Sequence, residues 1–94
     1  MDAKAIDQLL ESQRQYFLSG ATLPVEFRIA MLQRLRETVR RREPDISKAL
    51  TADLGKSGYE GYMCEIGLVL SELGYLIRHT RRFAKRRHVP TPLA

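Results

Sequence analysis

The sequence predicts an all-α fold followed by an extended C-terminal tail. Apolar residues recur at helical spacing over most of the chain, and no stretch alternates apolar and polar residues as a half-buried strand would. Prolines and glycines fall between the periodic stretches, where helices begin and end. The periodic stretches predict three to four amphipathic helices, at about residues 3–18, 24–42, 45–54 and 58–86.

The first two helices have clear boundary signals. Ser19-Gly20 follows the first periodic stretch, and a glycine just past the last periodic residue ends a helix. The second helix is predicted to begin at Pro24, since the N–H that proline lacks is not needed in a first turn. It must stop or kink near Arg42-Glu43, because Pro44 disfavours helical geometry in the residue before it. Whether the second and third helices join through Pro44 stays open.

The third helix is predicted to end at Gly55, and the longest helix follows. Ser57-Gly58-Tyr59-Glu60 has the S-x-x-E spacing of a capping box. Gly67 and Gly74 lie on one face of the long helix, where glycine is unfavourable, so they predict the close approach of another backbone. Prolines 90 and 92 favour an extended tail over residues 89–94.

Length and composition exclude several classes of protein. The 94 residues form one domain or a piece of one, and 44% hydrophobic with 29% charged residues excludes wholesale disorder. No apolar run approaches the ~20 residues that cross a bilayer, and the first residues lack the pattern of a secretion signal. The single cysteine excludes an internal disulfide and fits a reducing compartment. We therefore predict a cytoplasmic protein with no membrane partner.

No set of residues predicts a catalytic, cofactor-binding or metal site. Cys64 could be a nucleophile, but no histidine is near in sequence and a buried, inert thiol is the favoured interpretation. His79 and His88 have no acidic or thiol partner at ligand spacing, so we expect surface histidines. Glu65 and Glu72, seven residues apart, could form a paired-carboxylate site. We favour ion pairs with an arginine of a neighbouring helix, at Arg34, Arg36 or Arg40.

One short run resembles part of a phosphate-binding loop. Gly55-Lys56-Ser57 has the end of that motif, but the upstream glycine and the preceding strand are missing. A plain turn between helices explains the run better.

The basic end of the long helix supports an alternative function. Five cations share one helix face, namely Arg78, Arg81, Arg82, Lys85 and Arg86. With a net charge of +5 and a pI of about 9.8, this face could bind phosphates. No aromatic residues interleave with it for base stacking, and no nucleic-acid motif is present. We favour a solvated cationic face near a helix C-terminus. The alternative is a stand-alone helical binding module for nucleic acid or an acidic partner.

An ordered set of residues resembles the N-terminal segment of aldehyde dehydrogenases, most closely the class 3, fatty-aldehyde and coniferyl-aldehyde branch. The similarity runs without a gap over about residues 13–93. The residues that carry it are Phe27-Arg28, Ala49-Leu50, Asp53-Leu54-Gly55-Lys56-Ser57, Glu60, Glu65-Ile66-Gly67, Val69-Leu70, Glu72, Tyr75, His79, Val89 and Thr91-Pro92-Leu93. The sequence departs from the family pattern at Phe83, usually tryptophan, at Gly61, commonly alanine, and at Arg86-Arg87, usually a proline-containing pair. These departures affect packing rather than a site.

The resemblance implies a helical segment that wraps the outside of a coenzyme-binding domain and leads, near Thr91-Pro92-Leu93, into strands of subunit contact. It also implies that the catalytic cysteine, the glutamate base, the oxyanion asparagine and the nucleotide-binding sheet lie downstream. The Rossmann core and the catalytic domain would then be absent from residues 1–94, which would form a single helical segment, and Cys64 is not the family nucleophile.

We therefore expect an N-terminal fragment of an oxidoreductase that oxidises aldehydes to carboxylic acids with NAD or NADP. The fragment itself should be structural and inactive, with no cofactor of its own, since the resemblance implies that the catalytic and nucleotide-binding residues lie downstream of Ala94. Its expected partners are the rest of the parent enzyme and, through apolar helix faces, further copies of itself.

Overall fold

The computed structural model describes residues 1–93, and Ala94, the last residue of the predicted tail, lies outside the described residues. The chain is all-α as predicted, and no strand occurs within residues 1–93. The elements are α1 (Ala3–Leu18), α2 (Val25–Arg41), α3 (Glu43–Leu54), α4 (Gly58–Gly61), a π-helical turn (Tyr62–Ile66) and α5 (Gly67–Phe83). The last three elements follow one another without a break and form one long helix.

The joint between α2 and α3 is a single residue. Arg42, with φ −94° and ψ 9°, leaves helical geometry and serves as C-cap of α2 and N-cap of α3. α3 begins at Glu43, two residues before its predicted start, with Pro44 in its first turn where no N–H is needed. Pro24 is not the first helical residue of α2 as predicted, but its extended N-cap. α2 and α3 are therefore separate helices.

The turn between α3 and α4 forms as predicted. Gly55 has φ 68°, a left-handed conformation that other residues rarely adopt, and its N–H donates to the carbonyl of Thr51. The Ser57 hydroxyl then accepts a hydrogen bond of 3.1 Å from the N–H of Glu60. This is the serine half of the predicted capping box, and it starts the long helix.

The π-helical turn explains Gly67, one of the two glycines that were predicted to face another backbone. A Cβ on Gly67 would lie 2.7 Å from the carbonyl oxygen of Tyr62 in the same helix. At Gly74 the nearest atom is Nη1 of Arg78, at 3.3 Å, which also belongs to the same helix. The predicted approach of another backbone is therefore wrong at both positions. The wider π turn itself, which periodicity does not reveal, brings the Tyr62 carbonyl against residue 67.

The long helix ends at Phe83, three residues before its predicted end at residue 86. The N–H of Ala84 makes the last helical bond, to the carbonyl of Thr80. Lys85, Arg86 and Arg87 offer no apolar side chain that would pack against the body and hold another turn. Residues 86–93 are exposed and have no regular secondary structure, and the extended form of the tail stays a prediction.

The core is small and lies between α2 and the long helix. Its buried apolar residues are Ile29, Ile66 and Leu73. The accessible surface is 8116 Å², whereas a compact protein of this mass exposes roughly 5,500 Å². The radius of gyration is 18.6 Å, against about 12–13 Å for a compact domain of this length. The helices therefore form an open arrangement with much apolar surface in contact with solvent. Within residues 1–93, the helices are too short or too polar to span a membrane.

Candidate functional site

Glu65 forms an ion pair, but its partner is not one of the predicted arginines. The Lys56 ammonium donates a hydrogen bond of 2.6 Å to Oε1 of Glu65. Lys56 lies in the turn before α4, Glu65 lies in the π turn, and the lysine side chain is only 24% exposed. This hydrogen bond raises the pKa of Lys56 above its ordinary value of 10.5. The pair ties the turn to the π-helical segment, and the prediction of Arg34, Arg36 or Arg40 as partner is wrong.

Glu72 does not join Glu65 in a site. It is exposed on α5, directly before the buried Leu73, and makes no ion pair with any side chain among residues 1–93. The expected pairing with an arginine of α2 is wrong, because α5 turns Leu73 and not Glu72 towards α2.

The single cysteine is exposed rather than buried. Cys64 lies in the π turn, outside the small core, and its thiol is free. Within residues 1–93, no three histidine, cysteine, aspartate or glutamate side chains lie close enough together to hold a metal ion.

His79 is half-buried, contrary to the prediction of a surface histidine, while His88 is exposed beyond the end of α5. The His79 ring stacks on Tyr75 with centroids 4.2 Å apart, and on Phe83 at 5.9 Å. Its Nδ1 lies 2.8 Å from the carbonyl oxygen of Tyr75. The imidazole of His79 is therefore part of a stack of aromatic rings with Tyr75 and Phe83.

Only part of the predicted cationic face lies on the helix and is free of acidic partners within residues 1–93. Arg81 forms a bidentate pair with Glu26 of α2, in which one hydrogen bond, from Nη2 to Oε2, is 2.9 Å long. Lys85 and Arg86 lie beyond Phe83, where the helix has ended. Of the five predicted cations, Arg78 and Arg82 therefore remain on the helix without an acidic partner among the described residues.

An aromatic surface runs along α5, on a face other than the one that carries the buried Leu73. We call it the outer stripe; its residues are Leu68, Tyr75, His79 and Phe83. Leu68 is 61%, Tyr75 40% and Phe83 54% exposed. The Arg82 guanidinium lies 5.4 Å from the centroid of the Phe83 ring. Aromatic rings and an arginine therefore lie side by side on this surface. The sequence analysis missed this arrangement, although rings spaced four residues apart share one face of a helix and could have indicated it.

A second apolar surface is a groove across α2, α3 and the π turn. One part has a volume of about 240 Å³ and the neighbouring part about 320 Å³. We call it the α2–α3 groove; its lining residues include Val39, Ile46, Ala49, Leu50, Ile66 and Val69. Thr38, Arg42, Asp45 and Glu65 also line the groove, but most of its accessible surface is apolar, which suits an apolar side chain or helix face.

The comparisons with known proteins agree on one class of enzyme, while no protein-family model matches the chain. The chain is 38% identical over 79 residues to "Aldehyde dehydrogenase, dimeric NADP-preferring" of Canis lupus familiaris. This match covers 84% of the chain and 17% of that relative. The chain is 42% identical over 66 residues to "Aldehyde dehydrogenase family 3 member A2" of Pongo abelii, covering 70% of the chain and 14% of the relative. It is 32% identical over 88 residues to "4,4'-diaponeurosporen-aldehyde dehydrogenase" of Staphylococcus aureus, covering 94% and 19%. The matched region thus spans less than a fifth of the length of these relatives.

Proposed function

We propose that this chain, which belongs to the class 3 aldehyde dehydrogenases, is a structural helical segment of an enzyme that oxidises aldehydes to carboxylic acids with NAD or NADP. In this proposal the segment is the N-terminal part of a coenzyme-binding domain and carries no catalytic group and no cofactor of its own. The enzyme works in the cytoplasm, where an exposed free thiol such as Cys64 stays reduced.

The observation that carries the proposal is the outer stripe. α5 already packs on α2 through its inner side, yet three large apolar side chains of its outer side remain 40–61% exposed. A helix that is apolar on two sides suits a place between two layers of structure. We propose that the outer stripe packs against the coenzyme-binding domain of the complete enzyme.

A chimera tests this function. The matched segment of the dog enzyme is replaced by this chain, and aldehyde oxidation is followed through the absorbance of the reduced nicotinamide. We expect an active, soluble chimera, and we expect the isolated chain to oxidise no aldehyde. Aldehyde oxidation by the isolated chain would overturn the proposal that the chain itself is inactive. A chimera without activity beside an active dog enzyme would overturn the proposed place in the enzyme.

Two substitutions in the chimera separate the outer stripe from the surface at large. Leu68→Asp puts a charge on the outer stripe and should strongly reduce the yield of soluble, active chimera. The reason is that an unpaired carboxylate would be buried against the coenzyme-binding domain. Gln33→Asp puts the same charge on an exposed position of α2 and should leave activity near that of the parent chimera. Equal effects of the two would contradict the stripe as the packing surface.

The stand-alone binding module is a second candidate, favoured by the contact of Arg82 with Phe83. Stacked rings beside arginines suit single-stranded nucleic acid. Binding should then weaken steeply with salt, and Arg78→Ala with Arg82→Ala should remove it. Absence of binding to single-stranded nucleic acid at low salt would reject this candidate.

A further inference from the structure

One carboxylate lies within the outer stripe, on the same face of α5 as the exposed rings. Glu72 is four positions after Leu68 and three positions before Tyr75, spacings that place side chains beside one another on a helix. At about 3.6 residues per turn, Glu72 lies about 40° around the helix from Leu68, and Phe83 lies about 20° further. Leu68, Tyr75 and Phe83 are all exposed large apolar side chains. The outer stripe thus includes an acid among apolar neighbours.

Glu72 makes no ion pair within residues 1–93. A cation on the same helix would reach it from three or four positions away. Those four positions hold Leu68, Val69, Tyr75 and Leu76. Arg78, six positions on, lies about 120° around the helix from Glu72. The Arg82 guanidinium, ten positions on, lies 5.4 Å from the centroid of the Phe83 ring. The described residues of α5 therefore supply no counter-charge for this acid.

The environment of Glu72 changes if the outer stripe is covered. In the structure Glu72 is exposed, so water solvates its charge. An ionised carboxylate that leaves water without a partner is strongly unfavourable, whereas one that is paired with a cation and hydrogen-bonded is tolerated. Protonation would also remove the charge, but it works against packing near neutral pH, where a glutamate is normally ionised. A covering surface that suits the outer stripe therefore presents a cation opposite Glu72.

We infer that a lysine or arginine of the coenzyme-binding domain pairs with Glu72 when the outer stripe packs against that domain. The inference rests on the proposed function and adds the chemistry of the facing surface. In the dog relative, more than four fifths of the chain lies outside the matched region. That remainder is where we expect the cation, because the matched helix itself offers none to Glu72.

The pair gives Glu72 a positioning role. Apolar contacts, such as those that Leu68 and Phe83 would make, tolerate small shifts along the helix axis. A charge pair inside an apolar contact is satisfied at one register, since any shift leaves a charge buried and unpaired. Glu72 thus fixes how the segment lies on the domain, and it takes no part in the oxidation itself.

One substitution measured in two contexts tests the pair. Glu72→Leu in the isolated chain should leave the free energy of unfolding unchanged, because Glu72 is exposed there. In the chimera with the dog enzyme, the same change should shorten the half-life of activity at a fixed raised temperature at least about tenfold, because it leaves the facing cation buried without a partner. An equally durable chimera would overturn the inference. So would an equal loss of stability in the isolated chain, since the pairing would then not need the domain.

Glu72→Gln distinguishes an ionised acid from one that is buried in its neutral form. Glutamine has the shape of the neutral acid and no charge, so it should also shorten the half-life of the chimera. A Glu72→Gln chimera as durable as the parent chimera would mean that no cation faces the acid, and it would overturn the inference.

Glu37 is the matched control. Its side chain is 69% exposed on α2, and its ion pair, at 3.7 Å, is with Arg40 of the same helix. Glu37→Leu and Glu37→Gln remove the same charge from the chimera and should change the half-life by less than about twofold, as exposed substitutions usually do. Equal effects at Glu37 and Glu72 would contradict a specific role for Glu72.

Charge exchange identifies the cation. Glu72→Arg places two like charges together in the chimera and should shorten the half-life further than Glu72→Gln. Each lysine and arginine of the coenzyme-binding domain is then changed to glutamate in turn, in the Glu72→Arg chimera and in the parent chimera. We expect one such change to lengthen the half-life of the Glu72→Arg chimera at least about threefold and to shorten that of the parent chimera. If none does so, the inference is overturned.

The outcomes separate this inference from the proposed function. An inactive parent chimera would overturn the proposed function together with the inference. An active parent chimera whose half-life does not respond to the changes at Glu72 would overturn the inference alone.

Discussion

Arg81 of α5 and Glu26 of α2 are joined by a bidentate ion pair across 55 positions of sequence. The pair spans the two helices that enclose the core, at the end where α2 begins. Both side chains are largely exposed, 62% for Arg81 and 70% for Glu26, so water screens their attraction.

The first prediction compares this pair with the core. Arg81→Ala should lower the free energy of unfolding by only about 0–1 kcal/mol, and by less at high salt. Ile29→Ala, which removes a buried side chain between the same helices, should cost about 2–5 kcal/mol. Urea denaturation of both variants at low and high salt is the measurement. A larger loss for Arg81→Ala than for Ile29→Ala would show that the ion pair and not apolar packing holds the helices together.

The second prediction concerns two glycines of the long helix, Gly67 and Gly74. Gly67→Ala should destabilise the chain by about 1–3 kcal/mol, because the new Cβ would lie against the Tyr62 carbonyl oxygen, a backbone atom. Gly74→Ala is the matched control, because its Cβ meets only the flexible end of Arg78. Here the gain in helix propensity should leave stability unchanged or raise it by up to ~1 kcal/mol. Thermal unfolding, followed by the circular dichroism signal of the helices, distinguishes the two variants. Equal stability of the two variants would exclude the π turn as the reason for Gly67.

The third prediction concerns pH. The hydrogen bond to Glu65 raises the pKa of Lys56 above 10.5 in the folded chain, so the folded state holds this proton more tightly than the unfolded state. The stabilisation is therefore fully present below pH 10.5 and is lost as the pH rises through the folded-state pKa. Glu65→Gln should remove the part of the decline in stability above pH 10.5 that comes from deprotonation of Lys56. The decline that comes from other groups should remain, and the free energy of unfolding measured against pH separates the two parts. An identical alkaline decline in wild type and variant would rule out the coupling.

The fourth prediction concerns the start of the long helix. Ser57→Ala removes the acceptor of the Glu60 N–H and should cost about 0.5–2 kcal/mol. Ser71→Ala, at an exposed position inside α5, should be neutral or slightly stabilising, since alanine is the better helix former. Unfolding curves of the two variants provide the check, and a neutral Ser57→Ala would mean that the cap contributes nothing to stability.

Several features of this protein follow from short-range rules and could be predicted. The all-α class and the stops at Gly20 and Gly55 depend on periodicity and on the conformation of single residues. The start of the long helix at Ser57 depends on a contact three residues away. The relation to aldehyde dehydrogenases was visible in an ordered set of residues, and the comparisons confirm it.

Other features depend on which helices meet, and here prediction from sequence failed or was silent. Glu65 was assigned to an arginine of α2, but the turn before α4 brings Lys56 nearer. Arg81 was placed on a solvated cationic face, but the packing of α5 on α2 brings it to Glu26. His79 was expected at the surface, but the rings of Tyr75 and Phe83 flank it.

What the sequence by itself determined is the set of helices and the stops at Gly20 and Gly55, because each depends on neighbours within about one or two helical turns. It also determined the family, because an ordered set of residues along most of the chain carries the resemblance. What only the tertiary structure decided is the pairing of charges, the π turn at Tyr62–Ile66 and the division of apolar surface between core and solvent. These depend on the orientation of whole helices. Among residues 1–93, that orientation rests on a core of three buried apolar side chains, which leaves α1, the groove and the outer stripe exposed.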